Sequence, residues 1–150
     1  MIAFDTNILI YAELPVTDDP RHQQAARLLA MAALNGAVLP LQVLGEFLHV
    51  CRRKSILDPN MASQKIDAYA EVFQIPHTML DDMTVTTALL SKFNLQFFDA
   101  LIIAVARRAG ATILLSEDMH DGLEIDGLRI VNPFAAANDA LLADYFGNAV

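Results

Sequence analysis

The sequence predicts an α/β fold, with a central, mostly parallel sheet flanked by helices in three layers. Two observations carry this. Short apolar runs alternate with longer segments of helical spacing, and the runs are apolar throughout, as in strands covered on both faces. Helix start and stop residues stand between them.

In chain order, "IAF" (2–4) is the first strand, Asp5 follows it, and a helix can begin near Thr6. "ELPVTDDP" reads as a loop. Asp19 caps the next helix with Pro20 at its first position, and Ala25, Leu28, Leu29, Ala32 and Ala33 recur at helical spacing until Asn35-Gly36 ends it. "AVLPL" is a second buried strand. "QVLGEFLHVCRRK" is a helix whose final Arg52, Arg53 and Lys54 complement its carbonyl end. Asp58-Pro59 opens a further helix bearing Ile66, Tyr69, Ala70 and Phe73, and "FQIP" is a short strand. Asp81 or Asp82 caps a helix running to about Asn94. "FFDALIIAVARRAG" is the strongest helix, with Asp99 near its start and Gly110 at its end. "TILLS" and "LRIV" are strands separated by a Gly-bearing loop, and 138–146 forms a final short helix.

The length of 150 residues suits one domain with a real core, and over half the residues are hydrophobic. No basic leader precedes an apolar run, and no run is long enough to span a bilayer. Cys51 is the single cysteine, so no internal disulfide forms and a cytoplasmic location is expected. The net charge of −8 argues against non-specific nucleic-acid binding through phosphates. From Glu117 onward seven acids accompany one base, Arg129.

In a parallel α/β fold, the carboxyl ends of strands and the N-termini of the following helices share one edge, where ligands bind. Asp5 follows the first strand, Glu46 lies early in the helix after "AVLPL", Asp99 begins a helix, and Asp118 follows "TILLS". Each has an ordinary reading alone: a cap for Asp5 and Asp99, a solvated helix residue for Glu46, a turn acid for Asp118. Together they reach one rim. Four carboxylates there repel one another, and one would take up a proton unless a hard divalent cation such as Mg²⁺ or Mn²⁺ were present. No His/Cys set has zinc spacing, and His22, His49, His77 and His120 are scattered.

"FDTN", "GEF", "FDALIIAVA" and "LLSED", in that order, resemble the PIN-domain nucleases, and most closely the VapC-type toxins of toxin–antitoxin pairs. "RIVNPF" resembles the family's last strand. The resemblance implies a single PIN-like nuclease domain over 1–150, with a short C-terminal extension after about residue 134. It implies an endoribonuclease using Mg²⁺ or Mn²⁺, with Asp5, Glu46, Asp99 and Asp118 as metal-binding and catalytic acids. Asn7 and Ser116 are its supporting polar residues, and Asp121 is either a peripheral acid or a turn residue. RNA substrate, a cognate antitoxin held in an apolar groove, and a homodimer are implied as partners. Residues in 25–34 and 61–73 are candidates for that groove, with core packing the competing role.

Two rival classes stand beside this one. A non-catalytic module on the same scaffold would be expected to lose an acid, whereas all four are present. A haloacid-dehalogenase-type phosphatase wants a second Asp two positions after the first, where Asn7 stands. Arg21, Lys92 and His120 are candidate RNA contacts. Arg52–Lys54 and Arg107–Arg108 are expected at the edge opposite the acids.

Overall fold

A computed structural model of the chain describes residues 1–14 and 19–147. Its elements are β1 (Ile2–Phe4), α1 (Thr6–Glu13), α2 (Pro20–Asn35), β2 (Ala37–Val38), α3 (Leu41–Lys54), α4 (Pro59–Val72), α5 (Leu80–Lys92), α6 (Phe97–Arg108), β3 (Ile113–Leu115), β4 (Glu124–Ile125), β5 (Leu128–Val131), a 3₁₀ turn (Ala136–Asn138) and α7 (Asp139–Tyr145). The middle of the loop expected over "ELPVTDDP" lies outside the described residues.

The sheet order is β2-β1-β3-β5-β4. β1 pairs in parallel with β2 and β3, β3 pairs in parallel with β5, and only β4 runs antiparallel. Successive side chains of a strand point to opposite faces. Ile2, Ala3 and Phe4 are all buried, so both faces of the central strand are covered. This explains the unbroken apolar runs. The core is continuous from β1 and β3 to α1, α3 and α6, with Phe4, Phe47, Ile102 and Leu114 among its fully buried side chains.

Three boundaries differ from the sequence expectation. β2 stops at Val38, because Pro40 has no N–H to donate and α3 starts at Leu41. "FQIP" contributes a single parallel bridge, Gln74 to Val38. Neither Asp81 nor Asp82 is the cap of α5. Met79 is, and Asp82 in the first turn reaches back to accept from the Met79 N–H at 2.8 Å.

Asp82 is buried and also receives Arg108 Nε at 2.8 Å and Nη2 at 2.9 Å. It therefore ties the start of α5 to the end of α6. The hairpin β4–β5 was not expected. It turns at Asp126-Gly127, both in the left-handed region with φ 45° and 88°, which is the backbone a tight two-residue hairpin requires.

Asp82→Ala removes the acceptor of the Met79 N–H and leaves the Arg108 guanidinium without its carboxylate. It should lower stability by about 2 kcal/mol, read as a shifted urea midpoint with an unchanged slope.

Candidate active site

The C-terminal end of β1 hands the chain to α1 through Asp5, whose extended backbone makes it the cap of that helix. Its carboxylate accepts from Thr6 N–H at 2.6 Å and from Ser116 Oγ at 2.7 Å, and only 6 % of the residue is exposed. Ser116 directly follows β3, the strand beside β1, and is fully buried. Its hydroxyl donates to Asp5 and accepts from the Met119 N–H at 3.2 Å. The cap reading of Asp5 is thus correct, and one hydroxyl fixes both this acid and the loop that carries Asp118.

Glu46 is anchored through both oxygens. Thr6 Oγ donates to Oε2 at 2.9 Å, and Gln42 Nε2, one helical turn earlier, donates to Oε1 at 2.6 Å. Asp99 lies in the first turn of α6 and is half-buried; Gln96, not Asp99, is the cap there. Asp118 is exposed and accepts from Asn7 Nδ2 at 3.1 Å. The same Asn7 nitrogen lies 3.4 Å from Asp5, so Asn7 links the two acids.

Asp5, Glu46, Asp99, Asp118, Thr6 and Asn7 line one open cavity of ≈ 600 Å³. Asp121 stands apart. It accepts from Asn132 N–H at 2.8 Å and from Asn138 Nδ2 at 3.0 Å, fastening the segment before α7.

Electrostatics follow from this crowding. Burial is the main cause that pushes the Asp5 carboxyl up to about 6, and the charges of Asp99 and Glu46 add to it. The hydrogen bonds from Ser116 and Thr6 oppose the rise. Asp99 is also raised, by burial first and then by Glu46 and Asp118. The donor set facing the cavity is all hard oxygen, and Asn7 Oδ1 is a buried acceptor with no donor from the protein. This chemistry fits Mg²⁺ or Mn²⁺. Among the described residues no three such side chains close into a coordination shell, so the carboxylates line the cavity without converging.

Sequence reasoning missed several residues here. Thr6 and Gln42 position Glu46, and the one-turn (i, i+4) spacing of Gln42 and Glu46 on a helix was a readable signal. The cavity continues along α3 past Val50 to Lys54, with Ile10, Leu14 and Ile56 on its apolar wall. Lys54 thus faces the same cavity as the acids, against expectation, because the cavity follows successive turns of one helix face. Arg107 and Arg108 pair with Asp126 and Asp82 instead.

The apolar wall of this cavity is not built from 25–34 or 61–73; in those segments Ala25, Leu28, Leu29, Ala62, Tyr69 and Phe73 are core, while Leu34, Met61 and Val72 are exposed. Arg21 is held by Asp19 at 2.7 Å and Glu117 at 2.9 Å, and stacks over the Tyr11 ring. Tyr11 also donates to Glu117.

An α/β fold with acids gathered at the carboxyl ends of its central strands is a fold class with many members. The PIN domain model matches residues 2–120, and the chain belongs to that family. No curated protein matches it in sequence. It is similar in fold to the VapC20 toxin of Mycobacterium tuberculosis, described as cleaving the sarcin–ricin loop. The TM-score is 0.63 at 23 % identity, over 86 % of this chain and 99 % of that one. A toxin–antitoxin complex from Klebsiella pneumoniae gives 0.64 at 22 %, over 89 % and 98 %. VapBC2 of Rickettsia felis, bound to promoter DNA, gives 0.65 at 19 %, over 88 % and 98 %.

The raised Asp5 fixes the sign of a pH effect. The folded, metal-free protein holds a proton on Asp5 that the unfolded chain releases near 3.8, so stability falls as pH rises from about 4 to about 6 and then levels. Asp5→Asn keeps an acceptor for Thr6 and carries no charge. It should stabilise the metal-free protein by roughly 2–3 kcal/mol above pH 7, and by little below pH 4, in urea titrations with EDTA.

Proposed function

We propose that this PIN domain is a divalent-metal-dependent endoribonuclease that acts as the toxin of a toxin–antitoxin pair. The observation that carries the reading is the shared cavity. Four acids from the β1–α1 junction, α3, α6 and the loop after β3 line it, and burial opposes the ionisation of the first of them, Asp5. The phosphatase alternative is weaker, because Asn7 occupies the position of a second acid and spends its amide on Asp5 and Asp118.

Asp5, Asp99 and Asp118 would hold Mg²⁺ or Mn²⁺, with Glu46 as a further ligand directly or through water. When bound, the ion supplies an activated water for attack on phosphorus and neutralises charge on the phosphate oxygens. The remaining work belongs to the chain. Ser116 and the Thr6 N–H fix the Asp5 oxygens, which leaves that carboxylate one orientation. Thr6 Oγ and Gln42 hold Glu46, and Asn7 holds Asp118 toward Asp5. A proton on Asp5 competes with any cation below about pH 6, so activity should decline on the acid side.

The toxin role draws its support from the neighbours: one is described as an RNA-loop-cleaving toxin and another as a toxin–antitoxin complex. It implies a cognate antitoxin, a homodimer, a cytoplasmic setting and one nuclease domain over the whole chain. No helix among the described residues is long and apolar enough to cross a membrane.

Purified protein with Mn²⁺ should cut single-stranded or looped RNA, and EDTA should stop it. Asp99→Asn should lower the rate by at least ~100-fold with unchanged circular dichroism. Cutting that survives both, or release of inorganic phosphate from small esters, would contradict the proposal.

A further inference from the structure

A second cavity adjoins the first. It measures ≈ 550 Å³ and shares Asp99 and Asp118 with the acidic one. Its walls come from the turn between α5 and α6 and from the loop after β3. Phe93, Leu95, Met119 and Leu123 give it an apolar lining, and Asn94, Gln96 and His120 stand around it. Among the described residues, the side chains of Asn94, Gln96 and His120 have no hydrogen-bond or ionic partner, and all three residues are exposed. No Lys or Arg lines this cavity.

That combination selects a ligand. A phosphate subsite would need cations, and none lines the cavity. A flat aromatic heterocycle needs apolar surface for its faces and amide or imidazole groups for its edge, and both are here. The first cavity lacks this set. Its only side chains without charge that can read a base edge are Thr6, Asn7 and Tyr11; the two hydroxyls and the Asn7 amide nitrogen are already engaged within the protein, and the Asn7 amide oxygen, its one free group, is buried. Asp99 and Asp118 form the boundary between the cavities, so a strand whose phosphate rests at those acids delivers a neighbouring nucleotide into the second one. The charge balance points the same way. A chain of net charge −8 gains little from phosphate neutralisation and needs contacts to bases.

We propose that this second cavity is a nucleobase subsite, taking one unstacked base beside the cleaved phosphodiester and reading its edge with Asn94, Gln96 and His120. The subsite rests on the ribonuclease reading above. It makes these three specificity residues, distinct from the acids that act on the phosphate.

The test is cleavage of a pool of short single-stranded RNAs of random sequence with Mn²⁺, with the cut ends sequenced. Wild type should show a base preference at one position flanking the cut. The double variant Asn94→Ala, Gln96→Ala, and separately His120→Ala, should reduce that preference about tenfold for the loss of a paired contact. Cutting of the disfavoured RNAs in the pool should persist while cutting of the favoured ones falls, with circular dichroism and melting unchanged. A wild-type protein that cuts with no flanking preference, or variants that keep the preference, would overturn the subsite and leave the nuclease intact. A wild-type protein that cuts nothing would overturn the nuclease reading and the subsite with it.

Discussion

The structure turns on one carboxylate held inside the protein. Asp5 ends the central strand, caps α1 and takes the Ser116 hydroxyl from the neighbouring strand end. An ionised acid in that place is costly unless hydrogen bonds and a cation compensate it. Two hydrogen bonds offset part of the cost, and the remainder shows as a carboxyl raised to about 6. The same contacts set the register of the site. Ser116 connects Asp5 to the loop of Asp118, Asn7 connects the two acids directly, and Thr6 connects Asp5 to Glu46. A single turn of sequence, Asp5-Thr6-Asn7, reaches every other strand end and helix that contributes an acid except α6.

If the proposed ribonuclease reading holds, this geometry also bears on how an acidic protein would meet an anionic polymer. Arg21 is neutralised by Asp19 and Glu117, and Arg108 by Asp82, so neither is a free cation for phosphate. Lys54 remains at the far end of the first cavity, beyond the apolar wall. On the proposed ribonuclease reading, the positive charge that RNA requires would come mainly from a cation bound at the acids, with specificity left to neutral groups. On that reading, the chemistry on phosphorus would be separate from recognition of bases.

Much of this was legible in the chain. The unbroken apolar runs of "IAF" and "TILLS" announce strands covered on both faces. Asp19-Pro20 and Asp58-Pro59 mark helix starts, and the structure has α2 and α4 begin there. The gathering of Asp5, Glu46, Asp99 and Asp118 followed from topology, because strand ends and helix starts share an edge. Local competition was harder to read. Pro40 cut β2 short, and Asp82 acted from inside the first turn instead of as the cap. The Asp126-Gly127 hairpin was written plainly as "EIDGLRI", yet β4 is only two residues long and gives no periodicity. Lys54 escaped because a helix end was assigned to an edge, while its side chain belongs to a face.

Calorimetric titration of Mn²⁺ into the protein tests the central claim most directly, because it needs no substrate. Binding should be tight enough to measure at pH 7.5, should release protons when repeated near pH 6, and should be lost in Asp5→Asn. Heat of binding that is absent in the wild type, or that survives unchanged in Asp5→Asn, would contradict an anionic pocket completed by a divalent ion.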